Sequence, residues 1–278
     1  MLKFVPGAPA LLADEGRDPI LIVSDLHLGF EKSFAKRGLI IPTQTFRLLE
    51  RLKLLIVQND VRRVIVLGDV KHGTSKILLH EWSDVSSFFT KLLEIVDRVE
   101  IVPGNHDGGI EPLLPRGVRL HSVKGYALSL SERTIFLMHG HTWPAVEGFA
   151  AKELVMGHHH FVFEAHDSSG LRMREPVWVI ARWNPAKVAM SYLAAGNKKI
   201  KGDPIQAFRA IYSVAVGSPQ IIVLPTFNPM LAGMPINSPS HQEHISPLFR
   251  SKAIDLPNAE LHLLDGTYLG KLSSLASQ

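Results

Sequence analysis

Histidine, aspartate and asparagine side chains recur directly after short apolar runs of this chain. Five places carry them: SDLH at 24–27, GD at 68–69, PGNHD at 103–107, HGH at 139–141 and GHHH at 157–160. Carboxylate oxygens, amide oxygens and imidazole nitrogens are ligands for divalent transition metals, and a chain without cysteine offers no thiolate in their place. A pair of such ions suits hydrolysis at phosphorus. The residue types therefore predict metal-dependent hydrolytic chemistry.

The elements that would position these side chains alternate between strands and helices. Eight short runs rich in apolar and β-branched residues predict strands, at Ile20–Val23, Val61–Leu67, Val99–Val102, Gly125–Leu130, Thr134–Met138, Leu154–Met156, Val177–Ala181 and Ile221–Leu224. Amphipathic spacing predicts helices over Thr43–Val57 and Ser83–Val96. Because ligands bind at the carboxyl ends of strands in such sheets, the five polar clusters are expected to converge on one site.

Composition limits the class of protein. The 278 residues are 46% hydrophobic and carry a net charge of +4, with fourteen histidines. Such a chain can bury a large core, so residues 1–278 are predicted to form one domain, with 184–278 completing the sheets and adding loops. No apolar run is long enough for a membrane span, and Asp14 and Glu15 interrupt the N-terminal apolar stretch. We expect a cytoplasmic protein without a membrane partner.

The five polar clusters, in this order, carry a resemblance to a known family. D-x-H, G-D, G-N-H-D, H-G and G-H-x-H stand here as SDLHLG, VLGDVKHG, PGNHDG, LMHGH and MGHHH. Together they resemble the signature of calcineurin-like metallophosphoesterases. The resemblance implies the metallo-dependent phosphatase fold, a four-layer α/β/β/α sandwich in which two mixed β-sheets lie face to face with helices outside.

The resemblance also implies a centre for two divalent metal ions. It assigns one ion to Asp25, His27, Asp69 and His160, and the other to Asp69, Asn105, His139 and His158. Asp69 would bridge the two, since one carboxylate has two oxygens. Manganese is the first expectation, and Fe²⁺, Co²⁺ or Zn²⁺ would also suit this mixed oxygen and nitrogen set.

The expected reaction is in-line attack of a metal-bound hydroxide on phosphorus. His106 resembles the catalytic histidine of the family and is expected to act as general acid, with Asp107 orienting and charging it. His72 corresponds to a substrate-contacting histidine of related repair nucleases. His141 is expected to support His139 from behind the ligands, and His159 to point away from the metals.

The class of phosphoester is indicated by two further stretches. SDLHLGFEKSFAKRGLIIP and VLPTFNPMLAGMPIN resemble small archaeal and bacterial phosphoesterases related to the double-strand-break repair nuclease, including those encoded beside a DNA ligase and a helicase. This implies a manganese-dependent nuclease or phosphodiesterase of DNA repair, with DNA as substrate and helicase or ligase proteins as candidate partners. Basic side chains available for DNA are Lys32, Lys36, Arg37, Arg116 and Lys198.

Two other functions remain open at this point. A small-molecule phosphodiesterase acting on cyclic nucleotides or nucleotide pyrophosphates predicts an enclosed site and weak dependence on salt. A non-catalytic DNA-binding subunit of a repair complex predicts DNA binding that survives loss of His106 and Asp69. A nuclease instead predicts an open basic groove and activity that falls steeply with salt.

Overall fold

The computed structural model describes residues 2–13, 18–35, 38–74, 79–130, 133–166, 169–199, 202–238 and 246–275. Two predicted substrate contacts, Lys36 and Arg37, lie outside the described residues. Within the described part, no helix is both long and apolar enough to cross a membrane.

The first sheet has six strands in chain order. They are β1 (Leu2–Phe4), β2 (Leu11–Ala13), β3 (Ile20–Ser24), β4 (Arg63–Leu67), β5 (Arg98–Val102) and β6 (Val118–Leu120). β1, β2 and β3 pair antiparallel, and β3 to β6 pair parallel. The helices of this half are α1 (Lys32–Ala35), α2 (Thr45–Gln58) and α3 (Leu79–Leu93). Parallel strands need such crossovers, and α2 and α3 provide them between β3, β4 and β5.

The second sheet has nine strands. They are β7 (Tyr126–Ser129), β8 (Thr134–Met138), β9 (Glu153–Met156), β10 (Phe161–His166), β11 (Arg172–Ala181), β12 (Gln220–Val223), β13 (Met234–Pro235), β14 (Glu260–Leu263) and β15 (Tyr268–Lys271). Its central path runs β13-β10-β11-β12-β9-β8-β7, and β14 pairs with β11 and β15. β8, β9 and β12 are parallel, whereas β10 and β12 lie antiparallel to β11. The helices here are α4 (Pro185–Ala195), α5 (Pro204–Tyr212), α6 (Pro247–Arg250) and α7 (Leu272–Leu275).

Three hydrophobic cores separate four layers. On β4, Ile65 and Leu67 face the core between the sheets, while Val64 and Val66 face the core under α2 and α3. The second sheet does the same, with Val155 in the core between the sheets and α4 and α5 packed on its outer face. Strands covered on both faces are apolar throughout, which explains why β3 and β4 read as continuous hydrophobic runs.

The predicted fold class, a four-layer α/β/β/α sandwich with two mixed sheets, is confirmed. Each predicted strand and helix is present, the strand Thr134–Met138 with the predicted ends and the others with shifted ends, and the strand expected at Val177–Ala181 begins at Arg172. The sequence analysis did not predict α4 or α5, nor the short strands β1 and β2 at the start of the chain. Three-residue strands such as β1 and β2 carry too little periodicity to be recognised.

Candidate metal centre

The five polar clusters meet where the two sheets approach each other. Three clusters follow β3, β4 and β5 of the first sheet, and two follow β8 and β9 of the second. Neighbouring turns are joined by their backbones: Asp25 donates its N–H to the Gly68 carbonyl at 3.2 Å, and His27 donates to the Asp69 carbonyl at 2.8 Å. Gly157 likewise donates to the His139 carbonyl at 3.0 Å.

The first group of ligand atoms comes from Asp25, His27, Asp69 and His160. One ligand atom of each lies within 4.8 Å of the others. His160 Nε2 lies 3.1 Å from Asp25 Oδ1, and His27 Nε2 lies 3.4 Å from Asp69 Oδ2. The set expected for one metal ion is thus brought together in space.

The second group is centred on the ring of His139. His139 Nδ1 lies 2.9 Å from the Leu67 carbonyl, which can only accept, so this nitrogen carries the proton. The other nitrogen, Nε2, lies 3.1 Å from His158 Nδ1, 3.3 Å from Asn105 Oδ1 and 3.4 Å from Asp69 Oδ2. In the neutral ring Nε2 is an acceptor that faces the two oxygen acceptors of Asn105 and Asp69, an arrangement that a cation would resolve.

A second observation also indicates that the residues of the first group suit a metal ion. Asp25 Oδ1, His27 Nε2 and His160 Nε2 are buried atoms that make no hydrogen bond among the described residues. Buried polar atoms are rarely left without a partner, because desolvation without a bond costs free energy. The three residues belong to a group whose ligand atoms lie within 4.8 Å of one another, so a cation bound there would supply the missing partner.

The electrostatics of the site point the same way. Burial opposes the charge of Asp69, but His139 and His27 outweigh it and hold the pKa of this carboxyl well below its usual range. Burial opposes protonation of His139, but Asp69 and Asp25 outweigh it and raise the pKa of His139 to about 9. Burial also opposes the charge of Asp25, yet His160 and His139 lower the pKa of Asp25 to about 2. The directions of these pKa shifts indicate a negatively charged site that favours a bound cation.

Other histidines of the site are kept neutral. Burial and the neighbouring His139 lower the pKa of His158 to about 3 and the pKa of His141 to about 4. Burial and His27 lower the pKa of His72 to about 4. Neutral imidazole is the form that binds metal ions or accepts a hydrogen bond at neutral pH.

The backbone at the predicted ligands is strained. Nine described residues other than glycine have positive φ, and five of them are predicted ligands: Asp25, His27, Asp69, His158 and His160. Their φ angles lie between 43° and 75°. This left-handed conformation costs free energy for residues with a Cβ and persists where the surroundings impose it, commonly at functional sites.

His106 lies beside the ligands without belonging to either metal set. Its ring Nδ1 lies 2.5 Å from the His72 carbonyl, so Nδ1 carries a proton and Nε2 faces Asp69 Oδ2 at 3.9 Å. The side chain of His106 is 20% exposed, so it can be reached from solvent. His72 itself places Nδ1 3.3 Å from His27 Nδ1, and its ring packs against the edge of Phe30.

Asp107 does not lie where the sequence analysis expected it. Its Oδ1 accepts the N–H groups of Val70 at 2.9 Å and Lys71 at 3.2 Å, and its Oδ2 accepts that of Gly104 at 2.8 Å. The carboxylate therefore ties the turn after β4 to the turn after β5, and the His72 carbonyl takes over the expected orienting of His106. Burial and Asp69 raise the pKa of Asp107 to about 6.

The remaining predicted residues occupy different surroundings. His141 contacts the ring of His139 with centroids 5.2 Å apart, and no hydrogen bond among the described residues joins them. His159 turns away and stacks on Phe161 at 4.8 Å.

The basic residues expected to bind DNA are spread over the surface. The turn after β3 that carries Asp25 and His27 is called the first ligand turn. Lys32 is exposed at the start of α1, shortly after this turn, and Lys198 is exposed after α4. Arg116 precedes β6, whose Val118 pairs with Val99 near the start of the parallel strand β5. Arg116 thus lies near the amino ends of the parallel strands, whereas the metal centre lies at their carboxyl ends. This position removes the physical reason for its predicted contact with substrate.

Comparison with known proteins identifies the family. The model of the calcineurin-like phosphoesterases matches residues 18–201. The chain belongs to the calcineurin-like phosphoesterase family. It is accordingly a hydrolase of phosphoester bonds, and the predicted family is confirmed. No curated protein sequence matches the chain significantly.

Several solved structures are similar to this calcineurin-like phosphoesterase. The nuclease MPE of Pseudomonas putida has a TM-score of 0.53 at 18% identity, covering 95% of this chain and 98% of that chain. Yfce, a phosphoesterase from E. coli, has a TM-score of 0.36 at 22% identity, covering 54% of this chain and 74% of that one. An archaeal phosphodiesterase has a TM-score of 0.33 at 15% identity, covering 54% and 78%.

The sequence analysis assigned no role to residues 226–228, which contact the first ligand turn. Thr226 and Asn228 are buried and donate side-chain hydrogen bonds to the carbonyls of Asp25 and Leu26. The stretch VLPTFNP was noted for its resemblance to other phosphoesterases. Two polar side chains in an otherwise apolar and proline-rich stretch were the available signal.

Proposed function

We propose that this phosphoesterase is a binuclear-metal-dependent phosphodiesterase that cleaves DNA, with manganese as the first choice of metal. The observation that carries the proposal is the pair of ligand groups that share Asp69, with His106 beside them and open to solvent. Both groups contain only carboxylate, amide and imidazole ligands, a set that suits Mn²⁺, Fe²⁺, Co²⁺ or Zn²⁺.

The chain's own residues have distinct parts in this proposal. Two bound cations would activate water and neutralise charge on the phosphoryl group. Asp69 and Asp25 supply the negative charge that holds them. His106, fixed by its Nδ1–H bond to the His72 carbonyl, presents Nε2 to the substrate side and donates a proton to the leaving oxygen. The side chain of His72 is proposed to contact the phosphate.

DNA is proposed as the substrate on three supporting observations. A solved structure that is similar over nearly the whole of both chains belongs to a protein named as a nuclease. The stretches SDLHLGFEK and VLPTFNP resemble small phosphoesterases of DNA repair. Lys32 is exposed close behind the first ligand turn. A role in repair, helicase or ligase partners and a cytoplasmic location remain predictions.

A substrate panel tests the reaction. Wild-type protein with Mn²⁺ is given bis-p-nitrophenyl phosphate, p-nitrophenyl phosphate, 2′,3′-cyclic nucleotides, and single- and double-stranded DNA. We expect hydrolysis of bis-p-nitrophenyl phosphate and of at least one form of DNA. Preference for cyclic nucleotides would favour the small-molecule alternative, and metal-loaded protein that cleaves no phosphodiester would refute the proposal.

The role of His106 is tested by varying the leaving group. In His106→Ala, cleavage of DNA should fall by about 10²–10⁴-fold, the usual contribution of a general acid. Cleavage of bis-p-nitrophenyl phosphate should fall much less, because p-nitrophenolate leaves without a proton. Metal content should match wild type. Equal losses on both substrates, or loss of metal, would count against a general acid.

Salt dependence separates nuclease from small-molecule enzyme. Hydrolysis of DNA at subsaturating concentration should fall at least about tenfold between 50 and 200 mM salt, because DNA contacts release counterions. Hydrolysis of bis-p-nitrophenyl phosphate serves as the control and should change little. Parallel curves for the two substrates would argue against a DNA-binding groove.

A further inference from the structure

Residues 225–236 form a segment that contacts the first ligand turn, about 200 positions away in sequence. Three consecutive carbonyls of residues 24–26 accept hydrogen bonds from it. Phe227 donates its N–H at 2.9 Å, Thr226 its Oγ1 hydroxyl at 3.1 Å and Asn228 its Nδ2 at 2.9 Å. One backbone donor and two side-chain donors of residues 226–228 thus hold the turn that carries Asp25.

This turn is strained, and it is held from both sides. Asp25 has φ of 59° and His27 has φ of 43°. The N–H groups of the turn donate to the carbonyls of residues 68–70, as described for Asp25 and His27. Its carbonyls accept from segment 225–236. A left-handed backbone persists only where such contacts over-determine it, so the segment helps set where the Asp25 carboxylate points.

The same segment also holds the other end of the first metal set. Met234 donates its N–H to the His160 carbonyl at 2.9 Å, and Ile236 donates to the Val162 carbonyl at 3.0 Å. β13 pairs parallel with β10 through these bonds. His160 and Asp25 come from different sheets, yet His160 Nε2 lies 3.1 Å from Asp25 Oδ1. One segment therefore contacts the backbone of both residues.

The segment is itself fixed by its surroundings. Arg51 of α2 donates to the Phe227 carbonyl at 3.0 Å, and its guanidinium lies 5.0 Å from the centre of the Phe227 ring. Asn228 uses its Oδ1 to accept the Met230 N–H at 3.0 Å, so its amide is held at both ends. Asn228 is 1% exposed. The donors are therefore pre-oriented toward the ligand turn.

We propose that segment 225–236 positions Asp25 and His160 for the first metal ion, with Thr226 and Asn228 as positioning residues. The proposal rests on the metal-dependent function proposed above. Groups that orient metal ligands typically change metal affinity about 10–100-fold when they are removed. The set around His139 has no contact with residues 226–228 among the described hydrogen bonds, so the second ion should be affected less.

The test measures Mn²⁺ binding to metal-stripped protein by titration calorimetry, together with thermal unfolding of the metal-free protein. Asn228→Ala and Thr226→Val should each weaken one of two Mn²⁺ sites by about tenfold or more. The single variant Thr226→Ser keeps the hydroxyl and should bind both Mn²⁺ ions with wild-type affinity.

Asn237→Ala provides a matched control. Asn237 lies just after the same segment and also bonds the backbone at both ends of its amide, donating to the Glu164 carbonyl and accepting the Glu164 N–H. Its loss should lower the melting temperature and leave both Mn²⁺ affinities unchanged. The ratio of variant to wild-type affinity therefore separates positioning from general stability.

Each result has a defined meaning. If Asn228→Ala and Thr226→Val bind two Mn²⁺ ions as tightly as wild type, the contacts are merely structural and the proposal is overturned. If wild-type protein binds no divalent ion, the proposed function fails, and this inference fails with it. If Asn228→Ala does not fold, Thr226→Val decides, because it removes one hydroxyl and keeps the side-chain volume.

Discussion

Asp69 lies where the two groups of ligands join. Its Oδ2 is 3.4 Å from both His27 Nε2 and His139 Nε2, and its Oδ1 accepts the N–H of His106 at 2.9 Å. One carboxylate thus faces a nitrogen from each proposed metal set and also fixes the backbone of the proposed general acid. A substitution here is expected to affect more functions than one at any other ligand.

Asp69→Asn tests this shared role. The amide keeps the size of the side chain but removes the charge that both cations need, so Mn²⁺ content should fall from two ions per chain to less than one. Hydrolysis of bis-p-nitrophenyl phosphate should fall about 100-fold or more. Metal analysis and the chromogenic assay measure both. Asp97→Asn, at an exposed ion pair with Arg62, is the control and should match wild type.

Among the elements that hold the ligands, the turn after β5 has no room for a side chain at Gly104. A Cβ there would collide with the backbone nitrogen and Oδ1 of Asp69. The same loop contains Gly108, where an added Cβ would meet no atom within 4 Å. The two glycines therefore differ in the contacts they permit with the ligand turn after β4.

Gly104→Ala should displace Asp69 and weaken binding of both Mn²⁺ ions by at least about tenfold, with a loss of stability of about 1–3 kcal/mol from overpacking. Gly108→Ala in the same loop should bind metal normally. Calorimetric titration and urea unfolding of both variants give the comparison. Normal metal binding by Gly104→Ala would show that the turn can relax without moving Asp69.

The buried carboxylate of Glu100 links the two sheets. Glu100 of β5 accepts hydrogen bonds from His121 at 2.6 Å and from Tyr126 of β7 at 3.0 Å, and it pairs with Arg63 of β4 at 2.7 Å. Burial opposes its charge, but His121 and Arg63 outweigh it and lower the pKa of Glu100 to about 2. The carboxylate thus joins β4 and β5 of one sheet to β7 of the other.

The pH dependence of stability follows from this pKa. A carboxylate with a depressed folded-state pKa stabilises the fold above its unfolded value near 4.5, and this stabilisation is lost as pH falls toward 2. Glu100→Gln should lower the unfolding free energy at pH 7 by about 1–3 kcal/mol. Urea unfolding at pH 7, 4.5 and 3 measures it. The difference from wild type should shrink between pH 4.5 and 3, and a constant difference would contradict the assignment.

In the molecule as a whole, the core between the sheets joins the two central layers. Strands from both sheets supply it, including Ile65 of β4, Val155 of β9 and Trp178 of β11. Phe4 of β1 stacks on Trp178 at 4.3 Å, so the first strand of the chain also covers this core. For this reason we propose that the chain forms one domain, with residues 184–278 completing the second sheet.

Ile65→Ala tests that proposal. Removing this fully buried side chain should cost about 2–5 kcal/mol of unfolding free energy, and the loss should appear as a shift of one cooperative transition. Urea unfolding followed by fluorescence and circular dichroism measures it. Ile40→Ala is the control, since Ile40 is 93% exposed, and it should be neutral. Two separate transitions would indicate independent halves.

The amino-acid sequence by itself determined which groups can form the site and which elements present them. Apolar runs end at Asp25, Asp69 and His139, and such runs are strands because both faces are buried. Local chemistry was sufficient for these inferences, whereas the family and the four-layer fold were implied by the resemblance of the five polar clusters to a known signature. Helices α4 and α5 were also signalled, by the N-caps Asn184 and Asp203 before proline, but these signals were not used.

Only the tertiary structure decided how those groups are held. The amides of Val70 and Lys71 bond to Asp107, and the side chain of Asn228 bonds to the Leu26 carbonyl; both contacts join segments that are distant in sequence. The order and spacing of residues along the chain do not reveal such contacts, because the contacts form only when the two sheets pack around one core. The same packing placed Arg116 near the amino ends of the parallel strands, away from the metal centre. Residue types thus determined the chemistry, and the packing of the sheets determined its geometry.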